Sequence, residues 1–262
     1  MTNIYHIVFY KPLLNSLAAL VNFLPLHDIG IAIIILTLAV RFILFPFTHK
    51  TTVTQIKMRQ IEPELKNIKE KFKNNSGEQA RKTMALYKEH GINPLSGFVT
   101  LLVQIPIIFA LYKVFLGGAN FDVANLYSFV EAPELINTNF LGWIDMTQKS
   151  YLLAFLAALS QFFQMRLALP PIKKTNQGDS FKDNLARSMN VQMKYVMPFI
   201  VFFIGLKFSS AIALYWTTMN IFAIVHEAVV RKKAKKIYGT TNKNDKTDFR
   251  GGVIQTDHRG TS

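Results

Sequence analysis

Four long apolar stretches constrain this chain more than any other feature of its sequence. They cover residues 29–47, 95–112 and 151–169, and a fourth stretch from 195 to 225 is interrupted by the segment KFSS at 207–210. A transmembrane helix needs about 20 predominantly apolar residues, and half of the 262 residues are hydrophobic. The pattern therefore predicts an all-α membrane protein rather than a soluble domain.

The distribution of basic residues predicts how these stretches cross the bilayer. Segment 48–93 holds ten Lys and Arg residues, segment 170–194 holds five and the tail from Arg231 holds nine, whereas Lys149 is the sole basic residue in 116–150. Loops rich in Lys and Arg stay on the cytoplasmic side. Both flanks of the interrupted stretch are then cytoplasmic, so it must cross twice. We expect five transmembrane helices, with the N-terminus outside and the C-terminus inside.

Residues 1–27 predict an amphipathic helix that lies on the outer membrane surface. Leu13, Leu17 and Val21 recur at helical spacing, with polar residues between them. A helix with one apolar face binds at the interface between lipid and water. A cleaved signal peptide is the alternative, but no basic cluster precedes the apolar residues and Pro12 interrupts them.

The five-span core is expected to cover residues 28–232, including a cytoplasmic helical hairpin at 50–90. Apolar residues recur at helical spacing on either side of the sequence NNSG at 74–77, which is typical of a turn. Beyond the core, residues 233–262 are basic and rich in Gly, Asn and Asp, a composition that predicts a disordered cytoplasmic tail.

Arg41 interrupts the first apolar stretch, IAIIILTLAVRFILFPF, and would share one face of a continuous helix with Thr37 and Thr48. An arginine inside a membrane costs from about 3 to more than 10 kcal/mol and cannot lose its proton. Its side chain could reach the inner interface, or it could lie in a hydrated cavity that opens towards the cytoplasm. Polar residues in other spans favour the cavity, although each alone could be a hydrogen bond between helices: Gln104, Gln161, Gln164, Thr217 and Asn220.

The usual catalytic motifs are missing from the sequence. It has no Gly-rich phosphate loop, no G-x-S-x-G and no cysteine, and its six histidines show no metal-ligand spacing. These observations predict that the chain is not an enzyme and that it uses no catalytic residue, metal or cofactor.

Several motifs, taken in order, resemble one known family. They are LTLAVRFILFPFTHK at 36–50, MALYKEHGINPLSG at 84–97, LLVQIPIIFALY at 101–112 and LYWTTMNIFAIVHE at 214–227. Each motif alone is weak evidence, but together, in this order and spacing, they are similar to the YidC/Oxa/Alb membrane protein insertases. The resemblance extends from about residue 5 to residue 232.

The resemblance implies a five-span core in a bacterial plasma membrane, with a groove in the inner leaflet that is open to cytoplasm and lipid. Arg41 matches the groove arginine of the family, and Thr37, Gln104, Trp216 and Asn220 fall at groove or substrate-slide positions. The implied partners are nascent membrane proteins, the ribosome through the basic tail, and the Sec translocon. The net charge of +14 predicts that anionic lipids are a further partner, because they attract basic segments.

Two other functions fit parts of the sequence. A small anion transporter or channel could use Arg41 as its selectivity charge, but that function leaves the basic hairpin and tail unexplained. A membrane-anchored protein that binds RNA or the ribosome would explain the tail but not the polar residues within the spans.

Overall fold

The computed structural model describes residues 2–93, 95–116, 121–169 and 187–248. Within these ranges, only the backbone is described for residues 2–3, 97–101, 116 and 233–248. This part of the chain is mostly helical. Two π-helical turns, His6–Tyr10 and Gln192–Val196, adjoin α2 and α9, and two short strands pair antiparallel. The elements are α1 (Thr2–Tyr5), α2 (Lys11–Phe23), α3 (Ile29–Ile43), α4 (Phe45–Gln60), α5 (Glu62–Lys71), α6 (Ser76–Glu89), α7 (Ser96–Leu116), β1 (Asn139–Phe140), β2 (Ile144–Asp145), α8 (Tyr151–Ala168), α9 (Met197–Gly205) and α10 (Ser210–Asp248).

Two helices of the described chain are long and apolar enough to cross a membrane, Tyr151–Ala168 and Ser210–Lys232. A third candidate arises if α3 and α4 count as one bent span, and Leu102–Phe115 is a shorter apolar helix. The helical class is confirmed, and these apolar helices fit the prediction of a membrane protein. The count of five spans stays a prediction.

The first apolar stretch does not form the single straight helix that its sequence predicts. α3 ends before Leu44, and α4 leaves it at an angle of 67°. Pro46 explains the break, because proline has no N–H to donate one turn back and disfavours a helical residue before it. The expected alignment of Thr37, Arg41 and Thr48 on one continuous helix face is therefore wrong, since Thr48 belongs to the next helix.

The main apolar core lies where α2, α3, α7, α8, α9 and α10 meet. Leu17 from α2, Ile33 from α3 and Leu111 from α7 are all almost completely buried in it. α8 packs closely on α9, where a Cβ added to Gly205 would lie 2.9 Å from the Ala154 Cβ. Small residues at such a crossing let two helix backbones approach closely, as is common in membrane helix packing.

The helix predicted for the N-terminal segment is present as α2, and its apolar stripe is buried. Leu14, Leu17 and Val21 pack into the main core. Asn15 also ties α2 to the loop after α7, because its amide accepts from the Tyr127 N–H at 2.7 Å and donates to the Asn125 carbonyl at 3.1 Å. The position of this helix at the membrane surface stays a prediction.

The helices α5 and α6 pack on each other through a small apolar cluster that is separate from the main core. Its buried members are Ile61, Leu86 and Ile92. The connection between the two helices is short, and the Asn75 side chain caps α6 by accepting from the Glu78 N–H at 3.1 Å. The cytoplasmic location of this helical pair stays a prediction.

Asp28 organises the end of the bundle where α3 begins. The carboxylate is 1% exposed and accepts three backbone hydrogen bonds, from the N–H groups of Gly30 at 2.8 Å, Ile31 at 3.0 Å and Leu141 at 2.8 Å. The first two cap α3, and the third holds the turn between β1 and β2. We call this region, formed by Asp28 and residues 137–146, the Asp28 end.

The backbone helix of α10 includes the beginning of the predicted tail, whose disorder stays a prediction. The backbone of α10 remains helical as far as Asp248, where the sequence predicts disorder from residue 233 onwards. A helix that is already nucleated adds residues at low cost, and the basic run at 231–236 consists of good helix formers. The rest of the predicted tail, 249–262, lies outside the described residues.

Candidate functional site

Arg41 lies in the last turn of α3, close to the bend, and is partly buried. The apolar side chains that follow it are largely exposed, with Phe42 at 65%, Ile43 at 74% and Phe47 at 55%. Large exposed apolar side chains on both sides of the bend are typical of a surface that contacts lipid or a partner. Arg41 is therefore closer to the end of its helix than a straight span 29–47 implies, which also shortens the route that its side chain needs to reach solvent.

The charge of Arg41 interacts electrostatically with Tyr215 and His226 of α10. The ion pairs found among the described residues do not include Arg41. Glu227, the acidic residue at the same end of α10, is bound instead by Arg231 at 2.9 Å, with Arg59 at 3.9 Å. In the described part of the chain, the Arg41 charge is thus not neutralised by a carboxylate.

Tyr215 joins two of the predicted site residues. Its side chain is buried, and its hydroxyl accepts a hydrogen bond from Gln104 Nε2 at 3.1 Å. Gln104 of α7 therefore contacts the residue of α10 that also interacts electrostatically with Arg41 of α3. Sequence reasoning missed Tyr215 as a site residue, although it stands beside Trp216 in the motif LYW.

Thr37 and Asn220 are directed into helix packing instead. Thr37 is 2% exposed, and its hydroxyl donates to the Ile33 carbonyl of its own helix at 2.6 Å. Asn220 is 3% exposed and donates across to α8, to Ser160 Oγ at 3.1 Å. Both side chains have hydrogen-bond partners within the bundle, so this structure does not bring them together with Arg41 at an open surface.

Trp216 lines an apolar cavity of about 240 Å³ between α7, α9 and α10. The wall facing it includes Ile108 and Tyr112 from α7 and Ile204 from α9. Tyr215 contributes to the same wall, so the residue that accepts a hydrogen bond from Gln104 also borders the cavity. The apolar cavity is thus lined by the residue of α10 that interacts electrostatically with Arg41.

Two histidines meet beside the bend. His49 Nδ1 lies 3.1 Å from His226 Nε2, and the Phe45 ring lies 4.9 Å from the His226 ring. The histidines are 177 positions apart, so no local motif could have predicted their contact. No group of three or more His, Cys, Asp or Glu within the described residues is placed to hold a metal ion.

A charged cluster ties α4, α8 and α10 together at the opposite end from Asp28. Glu227 is 5% exposed, and its carboxylate accepts from Arg231. Arg231 also donates to the Leu167 carbonyl, and Arg59 donates to the carbonyls of Leu167 and Ala168 at the C-terminus of α8. Cations satisfy both the free carbonyls and the dipole of a helix C-terminus. We call these five residues the Glu227 end.

Comparison with known proteins decides the family. The sequence model of the family described as "60Kd inner membrane protein" matches residues 21–237. The chain belongs to the YidC/Oxa/Alb family. Relatives named "Membrane protein insertase YidC" include those of Wolinella succinogenes, 34% identical over 233 residues, Geotalea daltonii, 32% identical over 225 residues, and Oceanobacillus iheyensis, 30% identical over 236 residues.

The fraction of each relative's length that the match covers differs among these relatives. The match covers 87% of this chain and 38% of the Wolinella protein, 85% and 37% for the Geotalea protein, and 87% and 84% for the Oceanobacillus protein. The chain therefore spans little more than a third of the length of the first two relatives. Their name is that of an insertase, which is not an enzyme class, in line with the prediction that this chain is not an enzyme.

Proposed function

We propose that this chain is a membrane protein insertase that guides apolar segments of newly made proteins into the bilayer. The single observation that carries the proposal is an arginine without a carboxylate partner among the described residues, beside an apolar cavity of about 240 Å³. A client entering a membrane needs both environments, because its polar tail must cross while its apolar helix is received.

The proposed architecture is a five-span core with the N-terminus outside and the C-terminus inside, in a bacterial plasma membrane. α4 to α6 form a cytoplasmic hairpin, and the chain beyond residue 232 lies in the cytoplasm. The large basic excess of 48–93 and of the tail supports this orientation. The apolar surface around Phe42 and Phe47 supports a bend of the first span within or beside the lipid.

In the proposed mechanism, Arg41 attracts an acidic or polar client tail through a hydrated groove. The α10 face around Tyr215 and Trp216 receives the apolar segment, which then moves into lipid. Burial of apolar surface drives the step, at about 25 cal/mol per Å², so no nucleotide is needed. Gln104 holds Tyr215 in place through its hydrogen bond, while Thr37 and Asn220 act by packing the helices that form the groove.

The proposed partners follow from charge and family. Nascent membrane proteins are the clients, and the basic tail provides a surface for the ribosome. Anionic lipids are attracted by the same basic residues. The Sec translocon is a further partner implied by the family resemblance.

The test uses purified chain in vesicles and two single-span clients that differ only in an acidic or a neutral N-terminal tail. Insertion is scored by protease protection. Arg41→Ala should reduce insertion of the acidic client about tenfold, equivalent to roughly 1.4 kcal/mol, and the neutral client much less. Arg41→Lys should retain most activity because it keeps the charge, and Arg41→Glu should be worst for the acidic client.

Arg166→Ala is the matched control, because it removes an exposed arginine from the last turn of α8. It should leave both clients unaffected. Equal insertion of the two clients by Arg41→Ala would refute the groove charge and favour an arginine that reaches the interface. Leakage of chloride from the same vesicles, abolished by Arg41→Ala, would instead favour the anion channel.

A further inference from the structure

The turn between β1 and β2 presents two large apolar side chains that are mostly exposed. Leu141 is 63% exposed and Trp143 is 90% exposed. They flank Gly142, whose Cβ position has open space within 4 Å. We call residues 141–143 the apolar tip.

The backbone of the apolar tip is held in place rather than left free. Trp143 N–H donates to the Phe140 carbonyl at 3.0 Å, and Leu141 N–H donates to Asp28 at 2.8 Å. Phe140, at the base of the turn, packs directly over Gly30, because a Cβ added there would lie 2.4 Å from its ring. The two exposed side chains are therefore presented from a fixed support.

Leucine is an unfavourable residue for the backbone conformation at position 141. Its φ is +51° and that of Gly142 is +77°, as in the tight turns that prefer Asn, Asp or Gly at the first of these positions. A leucine with positive φ is uncommon, and an exposed leucine gains no packing that would offset the cost. The stability of the isolated chain thus offers no reason for this residue, which directs attention to a contact outside the chain.

The position of the apolar tip along the axes of the apolar helices indicates what it contacts outside the chain. Asp28, which binds the tip, is the N-cap of α3. The same loop binds the start of α10, where Ser210 N–H donates to the Gln148 carbonyl at 2.7 Å, and it runs directly into α8. The tip therefore lies level with the ends of three apolar helices, two of them candidate spans.

The exposed surface of α8 continues the apolar tip towards the membrane interior. Tyr151, its first residue, is 77% exposed, and Leu152 and Phe155 are 57% and 54% exposed. Trp and Tyr concentrate where membrane helices meet the headgroups, because an indole or phenol has an apolar body and a polar edge. We propose that Leu141 and Trp143 insert into the lipid interface at the Asp28 end and anchor the bundle at that depth.

This inference needs only that α8 and α10 span the bilayer, and it is independent of the insertase mechanism. Trp143 and Trp216 are the only tryptophans in the chain, so Trp216→Phe leaves Trp143 as the single reporter. The variant is reconstituted at low protein density in vesicles of phosphatidylcholine and phosphatidylglycerol whose acyl chains are brominated at a shallow or a deep position. Iodide is equilibrated across the vesicles, so that both leaflets are sampled.

We expect a blue-shifted Trp143 emission, strong quenching by the shallow bromines, weaker quenching by the deep ones, and little quenching by iodide. If Trp216→Phe does not fold, the difference between the parent chain and Trp143→Phe isolates the same signal. A red-shifted emission quenched by iodide alone would overturn the proposal. A blue shift that appears only at high protein density would also overturn it, in favour of contact with a second copy.

Leu141→Asn separates a lipid contact from a structural role. Asparagine accepts a positive φ more readily than leucine, so the turn should keep its thermal stability while the apolar tip loses half of its anchor. We expect a red shift of Trp143 and the loss of most of the bromine quenching. Leu135→Asn, a change of another exposed leucine in the same loop, should leave the emission unchanged. Equal spectra for the two variants would rule out insertion of Leu141.

Discussion

The Asp28 end and the Glu227 end each contain a buried carboxylate, but the two are bound by different kinds of donor. Asp28 is bound by backbone N–H groups from α3 and from the turn after β1. Glu227 is bound by arginine side chains from α4 and α10. Backbone donors are fixed by the fold, whereas long side chains can release and rebind with little cost to the helices that carry them. From this comparison we predict that the Asp28 end is rigid and that α4 can move relative to α8 and α10 when the arginine contacts of the Glu227 end are released.

Replacing Asp28 with alanine should have the largest effect on stability. Three buried N–H groups would lose a charged acceptor, and α3 would lose its N-cap, so we expect a loss of about 3 kcal/mol in the free energy of unfolding. Equilibrium unfolding in mixed micelles measures it. Asp122→Ala is the control, because Asp122 caps an exposed turn in the same loop and should cost far less. Similar losses for both would remove the special role of the Asp28 end.

Gly30→Ala should be the next most damaging change at the same end. The new methyl group would meet Phe140, which β1 holds in place, so we expect a loss of about 2 kcal/mol from overpacking. Adding Phe140→Leu should recover part of this loss, as expected for residues in contact. Gly77→Ala, in the first turn of α6 with an ordinary 3.6 Å contact, should be neutral or stabilising. Additive losses in the double variant would show that the clash is not with Phe140.

Glu227→Gln should produce a smaller and more local effect at the other end. Glutamine keeps an acceptor for Arg231 but removes the charge that offsets two arginines. Because those arginines are 21% and 30% exposed, we expect about 1 to 2 kcal/mol rather than the full cost of breaking a buried pair. Hydrogen exchange should accelerate in α4 while the Asp28 end stays protected. Glu70→Gln, in an exposed pair with Lys66, is the control; uniform acceleration across the bundle would contradict a separately movable α4.

Arg59→Lys should have the smallest effect. Lysine keeps the positive charge but lacks the planar fork that reaches the carbonyls of Leu167 and Ala168. We expect a loss of less than about 1 kcal/mol, detectable as faster exchange at the end of α4 and not as a change in overall stability. An effect as large as that of Glu227→Gln would mean that the fork to α8, rather than the ion pair, holds α4.

The features that sequence predicted well depend on local patterns. Helical periodicity predicted α2, apolar length predicted α8 to within one residue at its end, and the polar segment 207–210 predicted the break before α10. Pro46 carried the signal for the bend after α3, but the unbroken apolar run around it favoured a straight helix. Periodicity reports which faces are apolar, and it does not report the angle between two successive helices.

The features that sequence could not predict depend on contacts between distant residues. Asp28 and Leu141 are 113 positions apart, and Gln104 and Tyr215 are 111 apart. Arg41 stood out because a charge in an apolar run is rare, whereas Tyr215 looked like an ordinary aromatic residue. Polar residues in apolar helices, such as Asn220, gave a signal for polarity but not for the direction of the side chain, which here points to Ser160 of α8.

The 67° bend after α3 also affects how far the chain extends from the end of that helix. Because a helix rises 1.5 Å per residue, the 16 residues of α4 advance only about 9 Å along the axis of α3 and about 22 Å sideways. Where α3 runs along the bilayer normal, α4 therefore runs closer to the membrane plane than to the normal. The bend thus converts length that would carry the chain away from the bilayer into reach along its surface.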